Sequence, residues 1–292
     1  MKILIIGSTG VLGRNVIPRL MEKNLQVKAL VRTQLQREYF TYMGIEAVEG
    51  DILKADSVLK ASEGCQAAMH LATVIPSGTG TLDWSMNDRV RRDGTQNLIH
   101  ACRENGLKEY FQQSIIFLYG DNGEAIIDES FPLKPQHYIQ SASDMEDMVK
   151  ESGLEWRILR GGSFYGPGTG RDEDWLNRAR AQNLKIPGEG NNYISLINVA
   201  DIARAFTLAV DRTEPGSIFN IVDDEPVKSR DLYTYISAIT HSIMPRKEEG
   251  ANTPSYRCSN KKFKDRTGWT PAFPTFRSGL AQYLRRATLP EC

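Results

Sequence analysis

Short, nearly unbroken apolar runs alternate along this chain with segments in which apolar residues return every three or four positions. The runs at 2–6, 26–31, 45–49, 67–71, 109–114, 155–160 and 217–222 predict strands, and the stretches between them predict helices. Strands buried on both faces need apolar side chains at every position, as Ile3-Leu4-Ile5-Ile6 has, so the alternation predicts an α/β fold with a parallel sheet covered by helices. The first helix is expected to bury Val11, Leu12, Val16, Leu20 and Met21, and one near 201–210 to bury Ile202, Ala205, Phe206 and Ala209. Pro18 lies beyond the first turn of that first helix, where it removes a hydrogen bond at up to roughly 3 kcal/mol, so a tolerated bend is expected there. From about 164 the pattern breaks into Gly166-Pro167-Gly168-Thr169-Gly170 and Pro187-Gly188-Glu189-Gly190, which predicts a small lobe inserted at the strand ends.

The first strand runs straight into Gly7-Ser8-Thr9-Gly10-Val11-Leu12-Gly13. A strand that turns sharply into a helix needs residues free to take positive φ and no side chain where a pyrophosphate approaches the backbone. Glycine meets both needs, and the strand before and helix after give the GxxGxxG spacing the context of a dinucleotide site. The other reading is a glycine-rich turn without a ligand.

Composition narrows the rest. The 292 residues carry 36 basic and 36 acidic side chains, so the overall balance attracts neither nucleic acid nor anionic membrane. The local cluster Arg89, Arg91 and Arg92 reads as a solvated helix face. Four widely spaced cysteines, without a CxxC or histidines at ligand spacing, predict no metal site and a reducing, cytoplasmic setting. The apolar run after Met1-Lys2 is too short for a signal peptide, and no stretch of about 18 apolar residues predicts a membrane span.

Further motifs follow in order: Glu49-Gly50-Asp51-Ile52, His70-Leu71-Ala72-Thr73, Arg92-Asp93-Gly94-Thr95-Gln96-Asn97-Leu98, Tyr165-Gly166-Pro167-Gly168, Ile197 to Ala203, Phe219-Asn220-Ile221 and Thr267-Gly268-Trp269-Thr270-Pro271. With the glycines, they resemble the short-chain dehydrogenase/reductase superfamily in its extended or atypical branch, the NAD(P)-dependent epimerase/dehydratase family. The family's usual asparagine is replaced by Arg91. The resemblance covers nearly the whole chain and implies a doubly wound parallel (Rossmann) sheet with a small C-terminal substrate-capping lobe. Residues 1–163 and 193–222 are expected to form the dinucleotide-binding domain, and 164–192 with 223–292 the lobe.

The resemblance also implies where a cofactor would lie. Gly7, Ser8, Thr9, Gly10, Val11, Leu12 and Gly13 would hold the phosphates, Asp51 and Ile52 the adenine edge, and Leu71, Ala72 and Thr73 the path to the nicotinamide ribose. Gly162 and Ser163 would let the nicotinamide ring approach the chain. An acid after the second strand would repel a 2′-phosphate; Leu30-Val31-Arg32-Thr33 has none, and Arg32, assisted by Arg14, favours NADP over NAD. The alternatives are a surface arginine at Arg32 and an Asx turn at Asp51.

In the family a tyrosine hydroxyl exchanges a proton with substrate, aided by a lysine four residues later. Here Tyr138 is followed by Ala142, and Ile115 stands where a polarising serine or threonine is usual, with Ser114 one residue early. Tyr138 is the first candidate acid and Ser114 the second, against the readings that Tyr138 touches the ribose or packs and that Ser114 satisfies backbone. Tyr119, Tyr165, Trp175 and Tyr193 are candidate substrate contacts, with core or wall roles as the alternative. The expected function is an NADP-dependent oxidoreductase acting on a small organic substrate (carbonyl, alcohol or sugar-like). The alternative is a non-redox isomerase, epimerase, dehydratase or cyclase, or an inactive NADP-binding sensor or scaffold. A small-molecule partner is expected, with no nucleic acid and no membrane, and a homodimer stays open.

Overall fold

The computed structural model describes residues 1–76, 82–251 and 253–288. Seven strands form one sheet: β1 (Lys2–Ile6), β2 (Gln26–Val31), β3 (Glu46–Glu49), β4 (Ala67–His70), β5 (Glu109–Ile115), β6 (Glu155–Gly161) and β7 (Ser217–Ile221). Their spatial order is β7-β6-β5-β4-β1-β2-β3. β1 pairs in parallel with β2 and with β4, Ile5 standing opposite Ala29 on one side and Met69 on the other. β2 pairs with β3, and β4 with β5, also in parallel. Parallel neighbours require crossovers, and helices Val11–Glu22, Gln34–Tyr42 and Ala55–Ser62 provide them. The strand order therefore reverses between β1 and β4, which puts the crevice of a doubly wound sheet at the carboxyl ends of those two strands.

Burial explains the strand sequences. Ile3, Leu4 and Ile5 are fully buried, as are Ala67, Ala68 and Met69 of β4, so the central strands tolerate only apolar side chains. The first helix buries Leu12, Val16, Ile17 and Leu20 but leaves Met21 exposed, against expectation, and it continues through Pro18 from Val11 to Glu22. Thr33 caps the next helix by accepting from the Gln36 amide at 3.3 Å.

The chain divides into two compact units. The first comprises residues 1–118, 135–160 and 203–219, and its core joins Leu4, Leu30, Val58, Leu98, Tyr110 and Ile158. The second comprises 119–134, 161–202 and 220–292, so it takes in 119–134, 161–163, 193–202 and 220–222 besides the stretches expected of the lobe. It is built from short strand pairs, including Ser163–Tyr165 with Leu196–Asn198 and Tyr193–Ile194 with Val227–Lys228. Its core joins Tyr165, Trp175, Leu176, Leu232, Ile236, Phe276 and Leu280.

Candidate cofactor and active site

The glycine loop closes on itself and on β4. Gly7 has φ 84°, and a side chain there would start 2.6 Å from the Ala72 amide nitrogen. A Cβ on Gly13 would lie 2.3 Å from the Gly7 carbonyl oxygen. The Gly10 amide donates to that carbonyl at 3.0 Å, and Gly10 then opens the helix without a side-chain cap. The first-turn amides of Val11, Leu12 and Gly13 thus lack intrahelical acceptors and stand at the positive end of the helix dipole. The arrangement fits a dinucleotide pyrophosphate, which requires bare backbone and amide donors at this position.

The other cofactor candidates divide by what their side chains already do. Ser8 is buried, and its hydroxyl donates to the Leu30 carbonyl at 2.8 Å, leaving only its backbone for a ligand. Thr9 is half-buried, and Arg14 and Arg32 are exposed with no hydrogen-bond or ion-pair partner for either guanidinium among the described residues. Asp51 forms the Asx turn given as its alternative reading, accepting from the Leu53 amide at 2.9 Å. Ile52 is buried, and its side chain lies 3.0 Å from where a Cβ on Gly94 would sit, which explains the glycine of the Gly94-Thr95 helix. Along the segment after β4, Leu71 is buried, Ala72 half-buried and Thr73 exposed. In the second unit, Gly162 is confined by the Ser195 carbonyl oxygen, 2.6 Å from a Cβ placed there, so packing by itself demands this glycine. Ser163 is half-buried beside it.

The catalytic candidates separate in the same way. Tyr138 lies in the short turn His137–Ile139, 46% exposed, its ring 5.6 Å from that of Trp84. Ala142 is fully buried one turn later and offers no cation. Ser114 departs from its expected role as an acid: its buried hydroxyl donates to Glu146 Oε1 at 2.6 Å. Arg160 grips the same carboxylate through Nε at 2.8 Å and Nη2 at 2.6 Å, so Ser114 belongs to an internal ion-pair cluster. Successive strand residues point to opposite faces, which is why Ile115 and not Ser114 is partly exposed.

Three substrate candidates are core. Tyr119 is fully buried and donates to Asn220 Oδ1 at 2.8 Å. Tyr165 is fully buried against the Gly279 backbone, and its hydroxyl donates to the Thr275 carbonyl at 3.3 Å. Trp175 is 4% exposed within the second unit's apolar cluster. Tyr193 is half-buried between two cations, Lys228 Nζ at 5.2 Å and Arg257 Cζ at 5.0 Å from its ring centre.

One arginine of the cluster departs from the solvated face. Arg89 and Arg92 have side chains 57% and 41% exposed, as expected of a solvated face, but Arg91 between them is buried. The stretch Val90–Gly94 is a π-helix, and Arg91, two residues on from Arg89 and so about 200° around the axis, falls on the inner face with Asn87 and Gly94.

No group of histidine, cysteine or acidic side chains that would hold a metal occurs among the described residues, and no described helix is long and apolar enough to cross a membrane. Residues 7–207 match a family model described as NAD(P)H-binding, and the chain belongs to that family, with the fold of the extended short-chain dehydrogenase/reductases. It is similar to a 3-diazoavenalumate denitrifying reductase of a Streptomyces species, 26% identical across 97% of this chain and 100% of that protein. It is also similar to a 2-alkyl-3-oxoalkanoate reductase of Stenotrophomonas maltophilia, 25% identical across 82% of this chain and 75% of that one. Among solved structures, the UDP-glucose 4-epimerase of Thermus thermophilus in complex with NAD superposes with a TM-score of 0.82 at 21% identity, over 99% of this chain and 100% of its own.

Proposed function

We propose that this protein is an NADP(H)-dependent reductase of a small organic carboxylate. The observation that carries the cofactor assignment is the bare cradle of Gly7, Gly10 and Gly13 together with an exposed, unpartnered Arg32 at the end of β2. A guanidinium there suits a 2′-phosphate, and no acidic side chain immediately follows β2 to repel one. The substrate class rests on two of the reductases it resembles, whose names denote carboxylates.

Bound NADPH would supply a hydride. Tyr138 is the candidate proton donor, because its phenol is exposed while the hydroxyls of Ser114, Tyr119 and Tyr165 are engaged inside the protein. With Ala142 in place of an amine, that phenol acts without help from a lysine on its own helix.

Fluorescence titration tests the assignment. NADPH should bind at least about tenfold more tightly than NADH, and Arg32→Ala should remove most of that preference, a change of about 1.4 kcal/mol or more. Equal affinity of the unmodified protein for both coenzymes would refute the NADP assignment. Reduction of a carboxylate substrate but not of its methyl ester, followed by NADPH absorbance, tests the substrate class.

A further inference from the structure

The buried cations of the first unit pair with carboxylates, with one exception. Arg160 holds Glu146 at 2.6 Å, Arg157 holds Glu109 at 3.0 Å and Lys28 holds Glu46 at 3.2 Å. Arg91 is 4% exposed, yet among the described residues no carboxylate lies within ion-pair distance of it. Its single polar contact is the donation from Nη1 to Ser141 Oγ at 3.4 Å. Asp88, one turn earlier, pairs with Arg92 at 3.8 Å, and Arg92 takes Asp144 at 2.7 Å. Placing a guanidinium out of water with no carboxylate in ion-pair contact is costly, and burial pushes Arg91 down to about 10, outweighing an upward pull from the Asp88 charge.

The neighbours deepen the imbalance. His70, at the end of β4, is fully buried with neither ring nitrogen in a hydrogen bond of good geometry. Burial pushes its titration down, outweighing a contrary pull from the Val90 backbone, and the charge of Arg91 adds to the fall, which keeps the ring neutral near pH 7. Asn87 is fully buried on the helix that leads to Arg91; its Oδ1 accepts from the Val74 amide at 3.0 Å, but its Nδ2 has no partner. The surroundings thus hold unused donors beside one unused acceptor, Asp88 Oδ1, and the group that would satisfy the donors is an anionic oxygen. Ser141, in the first turn of the helix Gln140–Lys150, stands three residues after Tyr138. The segments that lead into these two stretches also meet, where Trp84 packs on Tyr138 with ring centres 5.6 Å apart.

We propose that Arg91, with Asn87 and Ser141 beside it, is the recognition site for the carboxylate of the substrate. The assignment rests on the carboxylate reading of the substrate given above. A planar guanidinium receives a carboxylate through two parallel hydrogen bonds, and the incoming charge offsets the desolvation that the free protein carries. The binding of substrate is thereby coupled to relief of an unfavourable buried charge.

The test uses sodium formate as the smallest carboxylate, exchanged for chloride at constant ionic strength, with the thermal midpoint of the whole protein as readout. Formate should raise the wild-type midpoint by a few degrees in a saturable manner. Arg91→Met should abolish the response, and Arg91→Lys, which keeps the charge but not the planar pair of donors, should raise the half-saturating concentration at least fivefold. NADPH titration of each variant reports on the fold and on the coenzyme site; affinity within twofold of wild type is expected. A wild-type protein indifferent to formate, or a response that survives in Arg91→Met, overturns the assignment. Loss of NADPH binding in the folded Arg91→Lys protein also overturns it, because the anion would then be the coenzyme's. Failure of the unmodified protein to bind NADPH would instead sink the reductase reading.

Discussion

At Glu146 a hydroxyl and two cations converge on one carboxylate: Ser114 and Arg160 bond it directly, and Lys150 approaches to 3.6 Å. Removing the charge takes the paired carboxylate away from Arg160, which is itself 2% exposed. Glu146→Gln should therefore destabilise the protein by about 3–5 kcal/mol in urea unfolding, far more than any exposed pair here would cost. His70 gives a pH dependence of definite sign. Its folded-state value is about 4 against about 6.5 when unfolded, so between those limits the unfolded chain takes up a proton that the folded ring refuses. Stability from this residue is complete above about pH 6.5, falls by about 3 kcal/mol as pH drops to about 4, and changes little below that. His70→Leu should flatten the wild-type loss of unfolding free energy between pH 7 and pH 4.5. These roles were not legible in the sequence. Ser114, Tyr119, Tyr165 and Trp175 carry groups suited to chemistry, but their partners lie 32, 101 and 110 residues away for the three hydroxyls, and periodicity reports no such distance.

Elements were read more successfully than side chains, since a strand or helix is written in neighbouring residues. The run Gln26–Val31 is buried at five of its six positions, and Thr33 caps the helix that follows it. The π-helix at Val90–Gly94 escaped because a single residue of extra winding leaves no mark on a pattern of period 3.6. The first helix offers a sharper test of element docking. A methyl group on Gly13 would meet the Gly7 carbonyl oxygen at 2.3 Å, and that atom is backbone, so relief requires the helix to withdraw from the loop. Gly13→Ala should cost about 1–3 kcal/mol of stability and weaken NADPH binding by at least about tenfold, checked by urea unfolding and fluorescence titration.

For the whole molecule, the alternation of strands and helices foretold the doubly wound sheet, and the observed order β7-β6-β5-β4-β1-β2-β3 places its crevice beside the glycine loop. The second unit was legible only as a break in that rhythm, because strand pairs of two or three residues are too short to show a period. A coenzyme that binds only the folded protein should raise its global stability by about 2.7 kcal/mol at a free concentration one hundred times its dissociation constant. Chemical unfolding with and without NADPH measures this directly. The hydroxyl of Ser8 on the Leu30 carbonyl adds a constraint on inheritance and engineering. It bolts the turn that would embrace the diphosphate to the strand that carries Arg32, so on the NADP assignment proposed above coenzyme preference and coenzyme grip would be mechanically joined. Exchanging the arginine for an acid would recruit NAD cleanly only if the register of that strand were preserved, and a swap that disturbed it would blunt affinity for both dinucleotides at once.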